Sequence, residues 1–368
     1  MIVLLVAGGT SMVFSLLLTP LFARLFRRMN LGQFIRADTP TTHVVKRGTP
    51  SMGGVIFILA AVFGYFLAKL IGHERPSITV LLVILMMVGL GAVGFVDDYI
   101  KVHRQNSLGL SGPWKIVGTV IVGIGFALLG LNLRDENGQA PVSTAVSLIR
   151  DIPWLDFIVL FGPVIGVIAV IIWIVVITTS VSNAVNLADG LDGLAAGASI
   201  FAIGSYVIIG FWQSTQWCFS ASIAPADLFK CYNVSSPFEL AVIAAAIVGA
   251  LIGFLWWNTS PAQIMMGDTG AFGLGGALAA LAILSRTELL LVLIGGLFLI
   301  ITMSVIIQRS YFKLTKGKRI WRASPLHHHF EMKGWAEVTI VVRFWIISGL
   351  FVSLGVGLFY LEWLSRTS

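Results

Sequence analysis

Residues 157–181 read FIVLFGPVIGVIAVIIWIVVITTSV, a run of 25 residues without a charge. A helix needs about 20 apolar residues to cross the roughly 30 Å hydrocarbon core of a bilayer. Only helices and closed barrels satisfy their backbone groups in lipid, and a barrel strand alternates where this run is continuously apolar. The stretch therefore predicts a transmembrane helix. Further runs of the same kind lie near 2–23, 52–71, 78–96, 116–133, 194–212, 238–257, 270–285, 288–308 and 340–361, the one at 270–285 being short and glycine-rich. The expected fold is all-α: a polytopic membrane protein with about ten transmembrane helices.

Composition agrees. Of 368 residues, 57% are AVILMFWYC and 11% are charged, and the mean hydropathy is +0.93. A soluble globular chain carries roughly 25% charged residues, so too few are present here to cover a water-facing surface. Several soluble domains, a disordered or collagen-like chain and a disulfide scaffold are all excluded. The chain is expected to form one integral membrane domain over 1–368. Its net charge of +7 suggests cytoplasmic loops against anionic lipid, a membrane-lipid partner and not a nucleic acid. A homodimer is a possible assembly.

The first run has no basic residue ahead of it, and Arg24, Arg27 and Arg28 follow it, which fits an uncleaved anchor with its N-terminus outside. Ten spans then put both termini outside. This arrangement places 17 of the 24 Lys and Arg on the cytoplasmic side, as the positive-inside rule requires. Cys218 and Cys231 fall in one outside loop, where a disulfide is permitted; two free thiols are the alternative.

The acids collect where spans meet the cytoplasmic interface. Asp97 and Asp98 stand in Gly-Phe-Val-Asp-Asp-Tyr (94–99), Asp189 and Asp192 in Asp-Gly-Leu-Asp-Gly (189–193), and Asp268 in Met-Gly-Asp-Thr-Gly (266–270). Carboxylates at a low-dielectric boundary repel one another unless a cation or protons hold them together. Oxygen-only donors on short side chains favour Mg²⁺, which in turn suggests a phosphate substrate. Capping is the alternative for Asp268, and turn formation or capping for Asp189 and Asp192.

Lys101 and Lys115 follow the paired aspartates. Lys46 and Arg47 precede Gly-Thr-Pro-Ser-Met-Gly-Gly (48–54), a loop that runs into a helix start able to hold an anion or simply to turn the chain. No Gly-x-x-x-x-Gly-Lys-Ser/Thr is present, which excludes a P-loop ATPase. Asn183, Asn186 and Asn258 are amides at span ends, suited to a uracil edge or to capping. His327, His328 and His329 are consecutive, so a helix cannot turn all of them onto one metal. Amid Lys and Arg they suggest hydrogen bonding to a sugar or phosphate, or are incidental.

Five segments in order carry a resemblance: 46–54, 94–99, 183–194 (Asn-Ala-Val-Asn-Leu-Ala-Asp-Gly-Leu-Asp-Gly-Leu), 266–270 and 325–331 (Pro-Leu-His-His-His-Phe-Glu). Together they resemble the phospho-N-acetylmuramoyl-pentapeptide transferases, the bacterial enzymes of the polyprenyl-phosphate N-acetylhexosamine-1-phosphate transferase superfamily. The likeness covers nearly the whole chain. It implies ten helices with outside termini, residence in the bacterial plasma (inner) membrane, and an active site on the cytoplasmic face. The implied reaction passes phospho-MurNAc-pentapeptide from its UDP carrier to undecaprenyl phosphate, giving lipid I and UMP.

On this resemblance Asp97, Asp98 and Asp268 match the essential acids, with Asp268 at the Mg²⁺ position. Lys46, Lys101 and Lys115 match bases near the phosphates. Asn183, Asn186, Asp189, Asp192 and Asn258 match nucleoside and cleft positions, Gln308 a cleft glutamine, and His327 and His328 histidines near the sugar phosphate. Ser51 and Ala188 stand where threonine is common. Met265 stands where an aromatic often lies against uracil; methionine can also pack on a ring. Asp97 or Asp98 would remove a residual proton or orient the lipid phosphate. The alternatives are a sister enzyme that moves GlcNAc-1-phosphate from UDP-GlcNAc and, from another class, a secondary transporter. Transporters usually place ionisable groups at the midplane, unlike these acids.

Overall fold

A computed structural model describes residues 1–28, 48–104, 109–220, 223 and 225–366. Lys46 lies outside the described residues. The helices are α1 (Ile2–Arg28), α2 (Gly54–Gly72), α3 (Ile78–His103), α4 (Gly112–Asn132), α5 (Phe157–Ala188), α6 (Leu194–Thr215), α7 (Pro237–Asn258), α8 (Gly267–Leu284), α9 (Leu291–Ile294), α10 (Gly296–Leu314), α11 (Leu326–Glu331) and α12 (Glu337–Ser365). Among the described residues, ten of them are long and apolar enough to cross a membrane. Exposed Val164, Ile165, Ile168 and Ile172 on α5 show what such a surface meets, which is hydrocarbon.

The bundle is built around α8, where every residue from Thr269 to Leu284 is buried. Its sequence, GDTGAFGLGGALAALAIL, is almost all Gly, Ala and Leu, and small residues let neighbouring backbones approach closely in lipid. Two helices approach it closely: a Cβ added to Gly54 of α2 would stand 2.1 Å from the Gly270 nitrogen, and one added to Gly94 of α3 would stand 2.2 Å from the Asp268 carbonyl oxygen. Only hydrogen fits between α8 and either helix at these two points.

Four details depart from the expected outline. First, α3 runs on to His103, so Asp97 and Asp98 lie within its last two turns and not beyond its end. Their carboxylates are met by partners there, so the helix has no reason to stop. Second, α5 holds a break at Gly162 (φ 77°, ψ 173°) before Pro163, which lacks the N–H a continuous helix would use. Third, the ninth run divides at Gly295 into α9 and α10. Fourth, a small antiparallel hairpin, β1 (Ala145–Ser147) and β2 (Asp151–Asp156), interrupts the all-α plan.

The hairpin marks the end of the bundle away from the paired aspartates. Arg150 donates to the Cys231 and Lys230 carbonyls, ion-pairs with Glu362 of α12 at 3.1 Å, and lies 3.9 Å from the Tyr232 ring centre. Cys218 and Cys231 are bridged, with Cα atoms 4.9 Å apart. The disulfide loop, the hairpin and the end of α12 thus form one cap.

Candidate functional site

At the opposite end three carboxylates meet. Asp97 and Asp98 come from α3 and Asp268 from the first turn of α8; one oxygen of each lies within 4.8 Å of the others. Each has a different set of partners.

Asp98 caps α8 from another helix. Its Oδ2 accepts from the Thr269 N–H at 2.9 Å and the Thr269 hydroxyl at 2.8 Å, and its Oδ1 accepts from the Asp268 N–H at 3.2 Å. These are N–H groups the helix cannot satisfy itself, and a carboxylate there also complements the helix dipole. Gly267, at φ +73°, makes the turn that aims them.

Asp97 faces the other way. Its Oδ1 accepts from the Leu110 N–H at 2.6 Å, while Oδ2 lies 2.5 Å from Lys101 Nζ and 2.9 Å from Lys115 Nζ. The same two ammoniums reach Asp268 Oδ2 at 3.0 and 2.6 Å, and Asn186 Nδ2 donates to Asp268 Oδ1 at 2.9 Å. Three carboxylates against two ammoniums leave one formal negative charge. An all-oxygen donor set with residual negative charge fits a hard dication such as Mg²⁺.

Asp189 ends α5 beside this cluster. Burial, with Asp268, Asp98 and Asp192 nearby, pushes its carboxyl up to about 8, so it carries a proton at neutral pH. Asp192 Oδ2 accepts from the Ala262 N–H at 3.0 Å, and the Asp192 N–H donates to Glu337 Oε1 at 2.9 Å. Asn258 Nδ2 donates to the Ile264 carbonyl at 2.9 Å. Met265 is half-buried; its N–H donates to Pro50 O at 2.8 Å and its carbonyl accepts from Gly53 N–H at 2.9 Å, which fixes the turn around buried Ser51. Asn183 Nδ2 donates to Thr179 O of its own helix at 2.7 Å.

His327 is fully buried under the 189–193 turn: a Cβ on Gly190 would stand 2.2 Å from its Nε2. His328 Nδ1 pairs with Glu331 Oε2 at 2.6 Å. Burial, Lys333 and Arg322 hold the His329 imidazole below its ordinary value, and its Nδ1 accepts from the Arg322 N–H at 3.1 Å. The Gln308 amide is committed to backbone: Oε1 accepts from Ile320 and Trp321 N–H, each at 3.1 Å, and Nε2 donates to Trp321 O at 2.9 Å.

Asp97, Asp98, Asp268, Lys101, Lys115 and Asn186 are therefore joined in one contact network. Asp189, Asp192, Asn258, Met265, Ser51 and His327 form the adjoining turns. Asn183, Gln308 and His328 make local bonds. The sequence reading passed over Thr269, although it sits in a quoted motif, and Glu337, whose partner is 145 residues away with no pattern to announce it.

Between α5, α8 and α10 an apolar cavity of about 240 Å³ runs from the hairpin end toward the carboxylate end. Trp173, Ile177, Val181, Leu278, Phe298 and Thr302 line it, with Glu288 from the α8–α9 connection. Ala184 also lines it, within a turn of Asn183 and Asn186.

Comparison with known proteins bears on this arrangement. Residues 80–286, which span α3 to just past α8, match the sequence profile of glycosyl transferase family 4. Residues 46–58 match phospho-N-acetylmuramoyl-pentapeptide-transferase signature 1. A phospho-N-acetylmuramoyl-pentapeptide-transferase of Clavibacter sepedonicus is 64% identical over 100% of both chains. Proteins of the same name from Kineococcus radiotolerans and Pseudarthrobacter chlorophenolicus are 55% and 54% identical, over 98% and 99% of both chains. Identity this high over the full length includes the helices that bring the three aspartates together, and the chain belongs to the phospho-N-acetylmuramoyl-pentapeptide-transferase family within glycosyl transferase family 4.

Proposed function

We propose that this multi-pass membrane transferase moves phospho-MurNAc-pentapeptide from its UDP carrier onto undecaprenyl phosphate, releasing UMP and forming lipid I. The observation that carries the reading is the convergence of Asp97, Asp98 and Asp268 with Lys101 and Lys115. One pyrophosphate bond breaks as another forms, so no ATP is required. The lipid phosphate is already a nucleophile, because the second pKa of a phosphomonoester is about 6. The protein's task is to bring two anions together, align them and exclude water.

Lys101 and Lys115 lie between Asp97 and Asp268 and can turn toward the phosphates of both substrates, offsetting their repulsion. Asp98, with both oxygens occupied by the start of α8, positions Asp268. Asp97, held by Leu110 and the two lysines, is the carboxylate left to orient the acceptor phosphate or take its residual proton. Mg²⁺, held by Asp268 with Asp97 at hand, would polarise the donor phosphates and stabilise the leaving UMP. Asp189, whose carboxyl burial pushes up, can donate to a uracil carbonyl when protonated and accept when not. The apolar cavity suits the acceptor's chain.

The bridged Cys218–Cys231 loop suits an oxidising compartment, which supports the reading that the opposite, carboxylate end faces the cytoplasm and that the membrane is the bacterial plasma membrane. The deciding experiment is UMP release from UDP-MurNAc-pentapeptide with undecaprenyl phosphate, with and without Mg²⁺, beside Asp268→Asn. Loss of turnover in the variant while it still inserts and folds supports the reading. Near-normal turnover in Asp268→Asn removes the metal assignment. Turnover with UDP-GlcNAc in its place favours the sister reaction. Attack is direct and in line; a phosphosugar trapped on Asp97 or Asp98 without lipid would refute that.

A further inference from the structure

The α10 face that lines the apolar cavity continues past it. Phe298, Leu299 and Thr302 line the cavity. Steps of three and four residues carry the same face from Thr302 to Ile306, then to Arg309 and Lys313, because side chains at these spacings stack along one side of a helix. At 1.5 Å per residue, Arg309 lies about 10 Å beyond Thr302 along the axis, and Lys313 about 6 Å farther. Met303, Ile306 and Ile307 are exposed and apolar, as lipid-facing residues are, and Arg309 follows them at once. The boundary between hydrocarbon and headgroups therefore falls at Arg309.

Both cations are exposed. No Asp or Glu occurs from 309 to 330. Lys101 and Lys115 are, by contrast, engaged with Asp97 and Asp268. An apolar cavity whose α10 wall leads along an exposed apolar helix face to two exposed cations at headgroup level matches an amphiphile with a long apolar chain and a dianionic head.

We infer that Arg309 and Lys313 form a phosphate-binding site for the polyprenyl-phosphate acceptor, on the α10 face beyond the apolar cavity and apart from the carboxylate cluster. This rests on the proposed transferase reading. The acceptor seats its chain along α10 with its phosphate on this pair, and Arg offers the phosphate a bidentate contact while Lys adds a point charge. The site acts on capture of the acceptor and leaves the bond-making step to the cluster.

The test uses the full chain in phosphatidylcholine nanodiscs, with UMP release measured as polyprenyl phosphate is titrated. The double variant Arg309→Gln/Lys313→Gln is expected to raise the acceptor KM about tenfold or more. The donor KM and the rate at saturating acceptor should stay within twofold, and the acceptor KM should lose most of its dependence on ionic strength. Arg309→Lys/Lys313→Arg should restore most of the affinity. With phosphatidylglycerol added, the wild-type acceptor KM should rise through competition and the variant's should not. An acceptor KM that matches wild type in neutral nanodiscs overturns the site, as does an equal rise in donor KM. If the wild type itself releases no UMP with polyprenyl phosphate, the transferase reading fails instead.

Discussion

Asp98 caps the helix that bears Asp268: the Asp268 N–H reaches Asp98 Oδ1 at 3.2 Å across 170 residues of chain. Two neighbouring aspartates thus have separate tasks. Asp98 holds α8 in place, and Asp97 meets the lysines.

The two isosteric variants should separate these tasks. Asp98→Asn places an amide donor against the N–H groups of Asp268 and Thr269, and a mismatched buried donor costs about 1–3 kcal/mol. Asp97→Asn keeps an oxygen for the Leu110 N–H and turns its amide NH2 toward Lys101 and Lys115, whose partly exposed side chains can swing away to water. We expect a clear fall in the unfolding temperature for Asp98→Asn. For Asp97→Asn we expect little change in stability and a loss of about 10²-fold or more in kcat. Thermal unfolding in detergent and UMP release at saturating substrates check this; equal destabilisation in both variants would contradict the division.

Gly94→Ala tests the α3–α8 approach. The added carbon would stand 2.2 Å from the Asp268 carbonyl oxygen, so the helices must part. Overpacking of this kind costs about 1–3 kcal/mol. Displacing Asp268 by about 1 Å should lower turnover near 10²-fold. Wild-type turnover in the alanine variant would show that the carboxylates tolerate separation.

Stability of the metal-free protein should depend on Asp189. Its carboxyl is raised to about 8 in the fold and is near 3.8 when unfolded. A raised folded value means the stabilisation is complete below the unfolded value and is lost as pH rises through 8. Across this window folding takes up a proton, and the slope is at most about 1.4 kcal/mol per pH unit. In EDTA the unfolding temperature should fall from pH 5 to pH 9, and Asp189→Asn should flatten the decline. An unchanged slope in the variant assigns the proton elsewhere.

The Cys218–Cys231 bridge should matter to stability and not to chemistry. It closes a loop with a sequence separation of 13 at the end away from the carboxylates. Removing such a crosslink costs about 3 kcal/mol in the chain-entropy account. Cys218→Ser/Cys231→Ser should therefore unfold at a lower temperature and release UMP at the wild-type rate below it. A parallel loss of kcat at low temperature would mean that the two ends of the bundle are coupled.

Membrane residence, the number of spans and the gathering of acids at span ends are all legible in the residue order. Each follows from local physics: hydrocarbon demands long apolar helices, and a charge stays at the boundary. The 266–270 and 94–99 segments name their aspartates, and Lys101 follows Asp97 at helical spacing. What residue order leaves undecided is who faces whom. Asp97 and Asp98 are adjacent and chemically identical, and only the approach of α8 makes one a cap and the other a partner of lysines. Gln308 fits a cleft by type, yet its amide is taken up by the returning 320–321 backbone. Glu337 carries no local signal and meets Asp192 because α12 packs there. The hairpin likewise comes from contacts with a distant segment, since Ser147 bonds to Glu288 and Leu289. Short-range patterns settle which solvent each segment seeks; hydrogen-bond partners are chosen by distances that exist after the helices have packed.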